Sequence, residues 1–207
     1  MPGWRDRLSL GGIIACAVLA RGTLFWLAPH VETPDTAAYI ESGDTLFAAG
    51  HMASPLYMPL YPILIHLSGY DGVIWVQIAL SAATAFLVYR LACAIWQDKE
   101  AGLIAAGLYA VHPLLIYFAI ARLTETLAIF LLVVGLHELY RQRVFTASVA
   151  LVLLDLTRPS FDYILPLLVV LGAFVGGPRG AGAPCSDFFY DLRGPHGSVV
   201  APQLHGL

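Results

Sequence analysis

The chain has 207 residues, of which 58% are hydrophobic and 12% charged, with a formal net charge of -3. Soluble globular chains carry about 25% charged residues, so this composition, with a mean hydropathy of +0.74, excludes an ordinary water-soluble domain and predicts a membrane protein. No basic stripe is present that would track a phosphate backbone, so nucleic acid is excluded as a partner and the lipid bilayer is expected as one.

The first apolar segment, about 8 to 28, follows Arg5 and Arg7. A cleaved signal, or a lipoprotein signal ending at Cys16, is the alternative reading. A signal's apolar stretch is about 7 to 15 residues, whereas here it continues through Thr23-Leu24-Phe25-Trp26-Leu27. The segment therefore reads as a retained first helix. Further spans are predicted at about 73 to 92, 101 to 120, 124 to 140, 145 to 157 and 161 to 177, six in all with the fifth short.

Charge gives the expected orientation. Residues 29 to 72 contain Glu32, Asp35, Glu41, Asp44 and Asp71 but no Lys or Arg, while basic residues fall at Arg5 and Arg7, Arg90 and Lys99, Arg141 and Arg143, and Arg179. Threading six spans from a cytoplasmic N-terminus puts those four clusters inside, as the positive-inside rule requires. The expectation is a multi-pass protein of the cell (inner) membrane whose first long loop, 29 to 72, is extracytoplasmic.

Within that loop, Thr33-Pro34 opens a short helix that has Pro in its first turn and lies on the membrane. In SPLYMPLYP, residues 54 to 62, Pro55, Pro59 and Pro62 interrupt regular helix, and the ILIHL that follows is too short to span and is expected to be interfacial or re-entrant. The expected fold is all-α: a polytopic transmembrane helical bundle over 1–177 with membrane-parallel helices in the first extracytoplasmic loop. Residues 178–207 are Gly- and Pro-rich without periodicity and are expected to be a disordered or truncated tail, the end of a chain cut short or altered in frame.

Three polar features fall at the outer ends of these spans: Asp35 after the first, Arg122 with Glu125 between the third and fourth, and Arg158 between the fifth and sixth. Arg at a helix centre costs roughly 2.5 to 3.5 kcal/mol on insertion scales, so such a residue usually has a purpose. Only about 13 apolar residues precede Arg158 after Arg143, or about 20 Å of helix against a core of about 30 Å, which places Arg158 below the outer surface. It can hold a phosphate bidentately there, or simply pair with Asp155 three residues back. Arg122 and Glu125 have the same spacing, so a helix-end ion pair and a role toward donor phosphate or sugar both stand. Asp35 in a helix's first turn is also favoured by the helix dipole for local reasons.

Tyr57 and Tyr61 recur four residues apart and either line a substrate or belong to an interfacial aromatic belt. No metal site is expected: His30, His51, His66, His112 and His137 include no pair at a metal-binding helical spacing, and Cys16, Cys93 and Cys185 are scattered singly. Nucleotide, zinc-protease and serine-hydrolase motifs are absent.

The ordered set PDTAAY, SPLYMPLYP, ARLTET and LTRPS, spread over about residues 8 to 176, resembles the membrane glycosyltransferases of the GT-C class, in the branch of protein O-mannosyltransferases and lipid A aminoarabinose transferases. The resemblance implies transfer of a sugar from a polyprenyl-phosphate donor to an acceptor hydroxyl on a protein, lipid or glycan, at the extracytoplasmic face and with inversion. Asp35 matches the family's first-loop acidic residue, a general base or acceptor orienter. Arg158, Arg122 and Glu125 match elements that flank the donor phosphate, where Arg donors stabilise the charge on the leaving group. No cofactor is assigned with certainty, and a divalent cation stays open, although Thr36 stands where relatives often carry a second acidic residue. The family has further membrane helices beyond this length. The alternative is a non-catalytic polytopic membrane protein, such as a lipid-carrier binding module or an inactive fragment.

Overall fold

The computed structural model describes residues 4–28 and 33–161. The predicted span at 161 to 177 and the tail at 178–207 lie essentially outside them. Among the described residues all regular structure is helical: α1 Trp4–Leu27, α2 Pro34–Ala49, α3 Leu60–Ser68, α4 Gly72–Trp96, α5 Lys99–Val111, α6 Pro113–Ile120, α7 Glu125–Tyr140, α8 Val144–Asp155 and a 3-10 turn Pro159–Phe161.

Two helices, Ser9–Leu27 within α1 and Gly72–Trp96, are long and apolar enough to cross a membrane, or three if α5 and α6 count as one bent crossing. These place the chain among membrane-associated proteins. Six crossings were expected, and the described residues supply fewer helices of full length. At about 1.5 Å per residue, the 16 residues of α7 make about 24 Å and the 12 of α8 about 18 Å, against a core of about 30 Å.

The expected span at 101 to 120 is broken by a 55° bend between α5 and α6. Pro113 is the reason, because it lacks the N–H that would continue the ladder and starts a new helix at its first position. A residue not singled out from sequence braces this break. Arg21, fully buried in α1, donates Nη1 to Ala17 O of its own helix at 3.0 Å and to Ala110 O of α5 at 3.1 Å. A carbonyl in the last turn of α5 thus has a charged donor where the regular ladder ends.

α4 is the centre of the assembly, packing against α1, α3, α5, α6 and α7, while α7 pairs with α8. The main core joins Tyr39 and Tyr61 to Val73, Ile74 and Ile78 of α4, Leu127 and Leu131 of α7, and Leu151 and Leu154 of α8. Side chains from the first loop are therefore packed into the helical core rather than hanging outside it.

Small residues set the helix spacing. A Cβ on Gly102 would lie 3.0 Å from Tyr89 O and collide with Cys93 Sγ, so α4 and α5 meet backbone to backbone there. Gly102→Val is expected to force them apart at a cost on the order of 1 to 3 kcal/mol, which a lowered thermal unfolding midpoint in detergent would register.

Candidate functional site

The site is built from the first loop upward. Pro34 occupies the first turn of α2, and Thr33 N donates to Thr36 Oγ1 at 3.2 Å, which fixes where the helix begins. Asp35 is in that turn and exposed; Tyr39, four residues on, is buried and shares its face. Gly43, two turns beyond Asp35, lets α3 approach: an added Cβ would sit 2.7 Å from Pro62 O. That close contact brings the Pro-rich stretch and α3 back over α2.

Tyr57 Oη donates to Asp35 Oδ1 at 3.1 Å. Its ring meets Tyr39 edge-on at 4.9 Å, and Tyr39 meets Tyr61 edge-on at 5.1 Å. The two tyrosines of the repeated Pro-Leu-Tyr unit thus clasp Tyr39 from either side. Leu60 N donates to Leu156 O at 3.1 Å, which docks the start of α3 on the end of α8.

That end of α8 carries Arg158, whose Nη1 donates to Glu125 Oε1 at 2.6 Å. The partner of Arg158 is thus Glu125, at the first residue of α7, and not only a neighbour on its own helix. The pair is partly open, with Arg158 37% and Glu125 21% exposed.

Tyr39 connects the Asp35 side with the Glu125–Arg158 side. Burial pushes its phenol above the ordinary tyrosine value; a hydrogen bond with Thr124 and the charge of Arg158 oppose the rise, while the carboxylates of Asp35 and Glu125 add to it. The Tyr57 phenol is also raised, first by its donation to Asp35. A raised value means the contribution of this bond is complete below the ordinary tyrosine range and is lost as pH climbs through the shifted one. Tyr61 is raised mainly by burial, with Glu125 adding and Arg122 opposing.

Arg122 is placed differently from the helix-end pair with Glu125 that its spacing allowed. It sits between α6 and α7 in the left-handed region, at φ 47°, and its side chain is 1% exposed. Nε donates to Tyr70 O at 3.0 Å, Nη2 to Asp71 Oδ1 at 3.0 Å, and the guanidinium lies 3.7 Å from the centre of the Tyr70 ring. The reason is geometric: the helix ends at Ile120 and restarts at Glu125, so the helical rise and rotation that would face Arg122 toward Glu125 are absent. Nη1 of Arg122 and Oε2 of Glu125 are buried without a hydrogen-bond partner among the described residues.

The structure therefore links Asp35 through Tyr57 to Tyr39 and Tyr61, docks the start of α3 on the end of α8 next to the Arg158–Glu125 pair, and holds Arg122 against Tyr70 and Asp71. Tyr39 was not singled out from sequence, although its four-residue spacing from Asp35 in PDTAAY carries the signal. Among the described residues no group of three or more His, Cys, Asp or Glu side chains could hold a metal ion. Chemically, the arrangement offers an exposed carboxylate held by Tyr57 and a partly open guanidinium paired to a second carboxylate. No family model, curated protein or solved structure matches the chain.

Proposed function

We propose that this chain is a membrane glycosyltransferase of the GT-C type, or the N-terminal part of one, that moves a sugar from a polyprenyl-phosphate donor to an acceptor hydroxyl at the extracytoplasmic face. The observation that carries the reading is that Asp35, bonded to Tyr57 against Tyr39, stands on a loop whose α3 is docked on the end of α8, beside the Arg158–Glu125 pair, so that three stretches far apart in sequence are held together. The order of PDTAAY, SPLYMPLYP, ARLTET and LTRPS supports it independently.

In this reading the helices form a polytopic bundle with the N-terminus in the cytoplasm, and α2 and α3 lie along the outer surface. The donor's isoprenoid stays in lipid and its phosphate reaches Arg158 from the exposed side, with Arg122 as the deeper cation. α8 is too short to cross the core, which keeps Arg158 below the surface where a lipid-borne phosphate would be. The acceptor oxygen attacks the anomeric carbon from the face opposite the phosphate. Asp35 takes the hydroxyl proton as the new bond forms, the bond from the sugar to the phosphate oxygen breaks, and the polyprenyl phosphate leaves with the electron pair. Charge gathering on that phosphate is stabilised by guanidinium donors already in place.

The direct test supplies the full chain in nanodiscs with a polyprenyl-phosphate hexose labelled in the sugar. Release of carrier phosphate with inverted sugar product is expected; carrier left intact across a panel of protein, lipid and glycan acceptors would refute transfer. Orientation is tested separately in a background without cysteine. Ala53→Cys is expected to react with an impermeant maleimide on intact cells, and Gln142→Cys only after permeabilisation. The reverse pattern would put the site on the wrong side.

A further inference from the structure

We infer that Gln77, a residue of the apolar helix α4, is a positioning residue that sets where Arg122 stands relative to the Asp35–Tyr39 side of the site; the donor part of this inference rests on the function proposed above. Gln77 is fully buried, and amides are costly inside a membrane helix unless their donors and acceptors are satisfied.

All of its polar atoms are engaged. Nε2 donates to Leu123 O at 3.0 Å and to Phe118 O at 3.4 Å, while Oε1 accepts from Tyr61 Oη at 3.4 Å. This partner set fixes the amide's orientation, because the flipped form would set its oxygen against two carbonyls.

The two carbonyls flank Arg122. In an unbroken helix Phe118 O would accept from the N–H four residues on, which is that of Arg122 itself, and the break after Ile120 removes that option. Leu123 O belongs to the residue immediately after. One amide therefore takes up carbonyls from both sides of a residue held at φ 47°, a conformation that costs a non-glycine residue roughly 1 to 2 kcal/mol and persists only when its surroundings hold it. From its other end the same amide accepts from Tyr61, whose ring packs on Tyr39. Gln77 thus joins the turn carrying the buried Arg122 to the Tyr61–Tyr39 pair, from a single position on α4.

The test uses the full chain in nanodiscs with a polyprenyl-phosphate hexose as the probe, comparing Gln77→Met, Arg122→Lys and the double variant. Gln77→Met is expected to weaken donor binding about tenfold while turnover at saturating donor changes less than about twofold, and the double variant is expected to be no worse than Arg122→Lys alone, as for residues acting through one another. Wild-type affinity in Gln77→Met, or losses that multiply in the double variant, would overturn the inference. Gln77→Asn keeps the amide but is one methylene too short to reach all three partners, and serves the same comparison should Gln77→Met not fold. Thermal unfolding midpoints of the same proteins in detergent read the coupling without donor. Non-additive midpoints uphold the link between Gln77 and Arg122 even where the wild type binds no donor, a result that would count against the transferase reading alone; additive midpoints overturn it.

Discussion

Asp35→Asn is expected to lower sugar transfer by about 10²- to 10⁴-fold, the range typical of a positioned general base, while carrier binding stays intact. The asparagine keeps the size and still accepts from Tyr57 but cannot take a proton. Tyr57 Oη already occupies Oδ1, so the other oxygen is the one available to an acceptor hydroxyl. The measurement is turnover of a polyprenyl-phosphate sugar beside equilibrium binding of the same molecule. Unchanged turnover in Asp35→Asn removes its proposed role, and lost binding would reassign Asp35 to the donor.

Arg158→Ala is expected to act on the opposite half, weakening donor binding about 10- to 100-fold, as for loss of a hydrogen bond to a charged group worth about 1.5 to 3 kcal/mol. The variant also strips Glu125 of the 2.6 Å donor on Oε1, leaving a partly buried carboxylate without this partner at the head of α7. A drop in unfolding midpoint is expected to accompany the loss of affinity. Arg158→Lys separates the two effects, because a lysine can keep the charge near Glu125 but cannot hold a phosphate with two parallel bonds. Stability is expected to recover in the lysine variant more fully than donor affinity. Equal recovery of both would make Arg158 a structural partner of Glu125 and nothing more.

Much of the helical framework was legible because long apolar runs leave little choice. The span expected at 8 to 28 matches Trp4–Leu27 up to its last residue, the one expected at 73 to 92 falls within Gly72–Trp96, and the Pro34 signal marks the start of α2, capped by Thr33. The bend at Pro113 was missed because hydropathy averages over a window and does not register a single missing N–H. The proline was there to read, and it sits where such residues start helices.

Site residues were legible in kind more than in pairing. Asp35, Arg122, Glu125 and Arg158 stood out as charges among apolar neighbours, but spacing alone suggested local partners for Arg122 and Arg158. The structure gives them partners 51 and 33 residues away, in Asp71 and Glu125, and no periodicity rule reaches that far. Arg21 and Gln77 went unnoticed for the opposite reason: each is a single polar residue inside a long apolar run, where the run dominated the reading. Both are buried and bond to carbonyls beside a helix break, so in this chain the isolated polar side chains of the long apolar helices mark irregular backbone on a neighbouring helix.

The proposed transfer requires above all that a sugar-bearing lipid phosphate bind at Arg158. Equilibrium binding of a labelled polyprenyl-phosphate hexose to the wild-type chain in nanodiscs, with unlabelled carrier and inorganic phosphate as competitors, measures this directly. Saturable binding displaced by carrier, little affected by inorganic phosphate and reduced in Arg158→Ala is the predicted result. Binding that never saturates, or that is the same in wild type and Arg158→Ala, would contradict it.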